Sequence, residues 1–205
     1  MHESEKYAEF VREIQSLPAD DDSIKDFCRR KIIHGTPFIF KDKEDEYYFF
    51  LKKIASEYSV PFNSIHISGS GKLGFSFIKK TDFGLESDID VAIISTLLFD
   101  KIMNMVGDFQ IALRQCSVFL SKKQEEYYFE FLKYSAMGWI RPDLLPIKSY
   151  PSTFRNNWFD FFKSISYDNC IAGNYKVTAG VFKNYECFER YTLTGLNKLK
   201  INLRH

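Results

Sequence analysis

Apolar residues recur at helical spacing over much of this chain. Between Glu3 and Leu17 they fall at Tyr7, Phe10, Val11, Ile14 and Leu17, one face of an amphipathic helix that Pro18 ends. Asp20 to Ser23 supply capping residues for a second helix running to Ile33, with Ile24, Phe27, Cys28 and Ile32 inward and Gly35 as its stop. A third helix is expected over Asp42 to Tyr58, where Tyr47, Phe50, Leu51, Ile54 and Tyr58 share a face, before Val60-Pro61 breaks the run.

The period then changes. Ile65 to Ser68 reads as a strand that ends in the small residues Gly69, Ser70 and Gly71, and Asp88 to Ile94 reads as a second strand. A helix is expected to begin near Leu73. Phe75, Phe77 and Ile78 cluster after it, and Lys79 to Gly84 has the composition of a turn. Beyond Ile94, Ser95 and Thr96 cap a helix containing Leu97, Leu98, Ile102 and Met105, which Gly107 is expected to interrupt. Phe109 to Phe119 and Lys123 to Met137 read as further helices, Gly138 to Pro146 as a stiff Pro-punctuated segment and Ser152 to Ile165 as a helix. Tyr175 to Phe182 alternates as a strand does, and Tyr185 to Leu203 closes the chain as a helix. Helices on both sides of a few strands make this an α+β chain, with a small mixed sheet flanked by helices.

Composition narrows the picture. The 205 residues suffice for one core, hence one domain with at most a small helical appendage. Aromatic residues are abundant, at 17%, but many sit at helical spacing, which favours core packing over a base-stacking surface. A net charge of +1 leaves no global footprint for nucleic acid, so a long duplex partner is not favoured. The basic triplet Arg29-Arg30-Lys31 reads as a solvated helix face. Cys28, Cys116, Cys170 and Cys187 are far apart in sequence and form neither a zinc ribbon nor a disulfide framework, as expected of reduced thiols. With no apolar run of membrane length and no apolar signal core at the N-terminus, the expectation is a cytoplasmic protein without a membrane partner.

The chemistry concentrates between Ile65 and Ile94. Asp88 and Asp90 stand two apart on a strand, which puts both carboxylates on one face. Side by side they repel unless a cation lies between them, and Mg²⁺ or Mn²⁺ suits oxygen ligands that leave room for phosphates. The plainer reading is a solvated strand end in a turn-capping role. Against it, Ser87-Asp88-Ile89-Asp90 leads straight into the buried-type run Val91 to Ile94. Ahead of the aspartates, Gly69, Ser70 and Gly71 let a phosphate approach the backbone, and Lys72 is a cation that could meet it. Lys72, Lys79 and Lys80 are equally readable as plain surface charge. Rival motifs are missing. There is no Gly-x-x-x-x-Gly-Lys-Ser/Thr loop and no Gly-x-Ser-x-Gly elbow, and Gly69-Ser70-Gly71 is followed by no βαβ unit of dinucleotide type. His2 and His205 are terminal, and His34 and His66 read as packing or exposed residues.

Gly69-Ser70, then Gly74, then Asp88-Ile89-Asp90 before an apolar run resembles the DNA polymerase beta-like nucleotidyltransferase superfamily, over about Ile65 to Ile94. That superfamily includes nucleotide-adding RNA polymerases, antibiotic nucleotidyltransferases, minimal antitoxins and the cyclic-oligonucleotide synthases of antiphage defence. The resemblance implies one nucleotidyltransferase-like domain over 1–205, with helical additions at 1–60 and at about 145–205. It also implies a nucleoside triphosphate held by Gly69, Ser70, Gly71, Lys72 and Gly74, and metal held by Asp88 and Asp90. Catalysis would fall to Asp88, Asp90 and a third carboxylate on a later strand. Asp143, in the stiff segment between Pro142 and Pro146, is the first choice for that third group, because Asp100 and Asp108 read as helix-end residues. The interval from Ser70 to Asp88 is longer than in the most compact members and leaves room for a loop over the triphosphate. The acceptor would be a nucleotide, a nucleic-acid end or a protein hydroxyl, with phage defence or a toxin partner as the setting. Lack of a working third carboxylate would instead imply a nucleotide-sensing module that regulates a partner.

Overall fold

The computed structural model describes residues 4–18, 20–146 and 150–203. His2, Glu3 and His205, which enter the reading above, lie outside them. Four strands form a mixed sheet in the order β1 (Ile65–Ser68), β4 (Ile89–Ile94), β6 (Val177–Phe182), β5 (Trp139–Ile140). β4 is antiparallel to β1 and parallel to β6, and β5 is antiparallel to β6. A hairpin of β2 (Phe75–Ser76) and β3 (Thr81–Asp82) stands apart as a second sheet. The fold is α+β, a small mixed sheet flanked by helices.

Alternation along each strand divides the residues between two faces. Ile65, Ile67, Ile89, Val91, Ile93, Val177, Val181 and Ile140 point into the larger core. There they meet Phe50, Leu51 and Ile54 of α3 (Glu44–Tyr58) and Ile102, Val106 and Phe109 of α5 (Thr96–Arg114). α6 (Lys122–Ala136) adds Phe131, and α7 (Tyr150–Ser164) adds Trp158 and Phe162. On the opposite face Ala92 and Phe182 pack against Cys187 and Phe188 of α8 (Tyr185–Asn202). The far end of α8 supplies Leu196 and Leu199 to a separate cluster with Tyr7, Phe10 and Ile14 of α1 (Glu5–Gln15) and Ile24 and Phe27 of α2 (Asp21–Cys28). The terminal helices therefore pack on one another, while α3 lies behind the sheet.

Most helix ends follow their caps: Ser4, Asp20, Ser95, Ser121 and Asn184 each accept a backbone N–H at the start of a helix. β3 and β5 lie in stretches that read as a turn and as a Pro-punctuated segment, and three helices also differ from the sequence expectation. The helix expected near Leu73 begins earlier, as α4 (Gly69–Leu73), and Gly74 ends it in the left-handed conformation with φ +82°. Gly107 does not interrupt α5, which runs on to Arg114; a glycine inside a helix costs only about 1 kcal/mol, and buried Val106 and Phe109 beside it anchor the helix to the core. The second helix changes to π-helical winding over Arg29–Ile33. The basic triplet there is not a simple solvated face. Arg29 forms a bidentate ion pair with buried Glu189 of α8, and Lys31 pairs with Glu13.

The start of β6 is pinned by buried Ser166, whose hydroxyl donates to the Phe162 carbonyl at 2.7 Å and accepts the Val177 N–H at 2.9 Å. Ser166→Ala strands both backbone groups. It is expected to cost about 2 kcal/mol, read as a lower urea midpoint with an unchanged denaturant slope.

Candidate active site

Two registers build the site. Ser68 of β1 and Thr178 of β6 both stand opposite Asp90 of β4, so the three side chains form a row across one sheet face. The Thr178 hydroxyl donates to Asp90 Oδ1 at 2.8 Å. One step before β4, Asp88 lies 3.4 Å from the Lys176 ammonium, which stands just ahead of β6. At the end of β1 the chain turns at Gly69 with φ +62°, and a Cβ there would lie 2.8 Å from Asp90 Oδ2. Only glycine lets the carboxylate rest against this backbone.

The sequence-derived residues separate into three groups. Gly69, Asp88 and Asp90 come together, with half-buried Ser70 on the first turn of α4. Gly71, Lys72 and Gly74 serve the packing of that turn. Gly71 is buried against Ile67, Phe83 and Ile89, and Gly74 caps α4 next to the Phe38 ring. The buried Lys72 ammonium donates to the His34 and Gly35 carbonyls at the end of the π-helical segment. Asp143 forms the third group alone. It sits on a 3-10 turn (Pro142–Leu144) beyond β5, with both carboxylate oxygens held by Arg141 and with β6 between β5 and β4. The position beside Asp90 on the neighbouring later strand belongs to Thr178, not to a carboxylate.

The Asp90 carboxyl reaches solvent on one side, yet its pKa is raised above the ordinary carboxylate value. Packing that removes water from the charged form is the main cause. The charge of Asp88 adds to it, while the Thr178 hydrogen bond and the positive charges of Lys176 and Lys79 oppose it. A cation at this site would relieve both raising effects. Among the described residues no group of three His, Cys, Asp or Glu side chains has metal-holding geometry. Asp88 and Asp90 offer carboxylate oxygens alone, and a hard cation such as Mg²⁺ held by them would need waters or phosphate oxygens to complete its shell.

Lys176 and Thr178 were missed by sequence reasoning. The alternation of Tyr175 to Phe182 marks a strand, but nothing in the sequence says that this strand pairs with Asp90. A shallow hollow lined by Phe49, Phe50, Lys53, Ile165, Asn169 and Ile171 contains none of these residues. No protein-family model matches the chain, and neither a curated protein nor a solved structure matches it significantly.

Because the folded-state pKa of Asp90 is raised, folding favours its protonated form; that stability is full below the unfolded value near 3.8 and is lost as pH rises through the folded value. Asp90→Asn removes the charge and keeps an oxygen for Thr178. With divalent cations chelated, it is expected to melt at higher temperature than the parent at pH 7.5, and the gain should fade as pH falls through the raised folded-state value and be gone near the unfolded value of 3.8. Lys72→Met takes the ammonium donor from the His34 and Gly35 carbonyls and is expected to cost about 1 kcal/mol, read as a lower urea midpoint.

Proposed function

We propose that this chain is a divalent-metal-dependent nucleotidyltransferase that moves a nucleoside monophosphate from a nucleoside triphosphate to an acceptor hydroxyl. The observation that carries this reading is the contact of the Gly69-Ser70 turn with the Asp90 carboxylate, with Asp88 alongside. Small residues at a turn beside a pair of carboxylates suit transfer of a phosphoryl group, since positioning and charge neutralisation do most of the catalytic work.

In this reading the backbone at Gly69 and Ser70 receives the β- and γ-phosphates, and Asp88 and Asp90 hold the cation. Mg²⁺, when bound, offsets the charge that builds on the leaving pyrophosphate. Lys176 and Lys79 add positive charge around the carboxylates. Thr178 fixes the rotation of the Asp90 carboxylate through its hydrogen bond. The acceptor oxygen bonds to the α-phosphorus, the bond to the bridging oxygen breaks, and the acceptor proton leaves to water at the open side of Asp90. The near-neutral charge favours a short or small acceptor over a long nucleic acid.

A second reading rests on Thr178. With a hydroxyl where a third carboxylate would complete the site, and with Asp143 committed to Arg141, the same turn and aspartates would bind a nucleotide with its metal and regulate a partner without turnover.

Incubation with each ribo- and deoxyribonucleoside triphosphate and Mg²⁺ or Mn²⁺ separates the two. The enzyme releases pyrophosphate and forms a new product, and Asp88→Asn lowers the rate at least a hundredfold. Binding of nucleotide without product, in the presence of candidate acceptors, favours the regulatory module. No nucleotide or metal binding by calorimetry overturns both.

A further inference from the structure

The sheet face that carries Asp90 also carries an aromatic cluster that the reaction outlined above leaves unused. Trp139 of β5 stands opposite Phe182 of β6, two alternations along the strand from Thr178, and so shares the face of Asp90. Between them Gly180 has no side chain, and the indole edge occupies its place: a Cβ at Gly180 would lie 2.7 Å from Trp139 Nε1. Strand geometry puts the Gly180 backbone about 8 Å from that of Asp90, a separation that one ribose can bridge.

α8 brings Tyr191 onto this ring, with centroids 4.5 Å apart, and Tyr134 meets it edge-on at 4.9 Å. The Arg141 guanidinium lies 5.1 Å from the Tyr134 centroid and 5.8 Å from that of Trp139, held by both oxygens of Asp143. Unlike the core aromatics, exemplified by Trp158 at 2% exposure, Tyr191 is 46% exposed. It also lies against Phe182, with ring centroids 5.4 Å apart.

We propose that Tyr191 and Trp139, with Arg141 at their rim, form the platform on which the nucleobase stacks when the triphosphate lies at Gly69, Asp88 and Asp90. This rests on the nucleotide-binding reading and adds the part of the substrate that the carboxylates cannot recognise. A π-face and a guanidinium accept a flat heteroaromatic ring of any base, so the platform supplies affinity and position rather than a choice among bases. Asp143 is then a positioning residue for Arg141, not a metal ligand.

The test compares binding of inorganic tripolyphosphate with that of ATP, GTP, CTP and UTP, each with Mg²⁺, by calorimetry and tryptophan fluorescence. Tyr191→Ala is expected to weaken nucleoside triphosphate binding about tenfold, Tyr191→Phe to retain it, and neither to change tripolyphosphate affinity. Nucleotide, but not tripolyphosphate, is expected to quench the parent's fluorescence, with the quench lost in Trp139→Phe. That fluorescence comparison stands even if Tyr191→Ala fails to fold. Equal weakening of both ligands by Tyr191→Ala, no weakening of either, or no quench by a bound nucleotide overturns the platform and leaves the phosphate site standing. Binding of tripolyphosphate without any nucleotide does the same. Absence of binding by both ligands overturns the nucleotide reading and the platform with it.

Discussion

Everything at this site depends on the backbone of Gly69 lying against the Asp90 carboxylate. Antiparallel pairing sets Ser68 opposite Asp90, so the residue after Ser68 must turn away beside that carboxylate. The turn needs a positive φ and tolerates no Cβ, because the carboxylate oxygen already fills that space. Any other residue at position 69 would move either β1 or Asp90. The pairing with β6 then fixes the carboxylate from the other side through Thr178, so Asp90 is held by two neighbouring strands at once.

The two faces of the sheet divide stability from chemistry. One face is committed to the large aliphatic and aromatic core with α3, α5, α6 and α7, which makes the strands rigid. On the other, α8 packs over Ala92, Phe182, His66 and Trp139, and Ser68, Asp90 and Thr178 at the strand ends reach solvent. Partial cover has an electrostatic consequence. Asp90 is dry enough for its pKa to be raised by packing and by Asp88, yet open enough for a ligand to reach it. Such a carboxylate costs folding energy that a bound cation would offset.

Much of this was legible in sequence, because local physics decides it. Caps and helical periodicity place α1, α2, α3, α6 and α8 to within a few residues, and period-two alternation places β1, β4 and β6. The nearness of Gly69 and Asp90 follows from pairing the two strands of one motif. What sequence could not show was non-local. The parallel pairing of β4 with β6 joins residues 88 apart, so Thr178 and Lys176 could not be matched to Asp90 and Asp88 from spacing. Lys72 reads as a phosphate contact because it follows a glycine turn. Its direction depends on where the His34 and Gly35 carbonyls come to lie, which only the packed fold decides. Asp143 lies on a 3-10 turn, and the cation that holds it is Arg141, two residues before it.

The most direct test of the central claim is a crystal structure with Mg²⁺ and a nucleoside triphosphate analogue whose α–β bridge cannot be cleaved. The account predicts a cation on oxygens of Asp88 and Asp90 at about 2.1 Å, with the phosphates against Gly69 and Ser70. An ordered nucleotide whose phosphates lie elsewhere, or a cation bound without either aspartate, would contradict it.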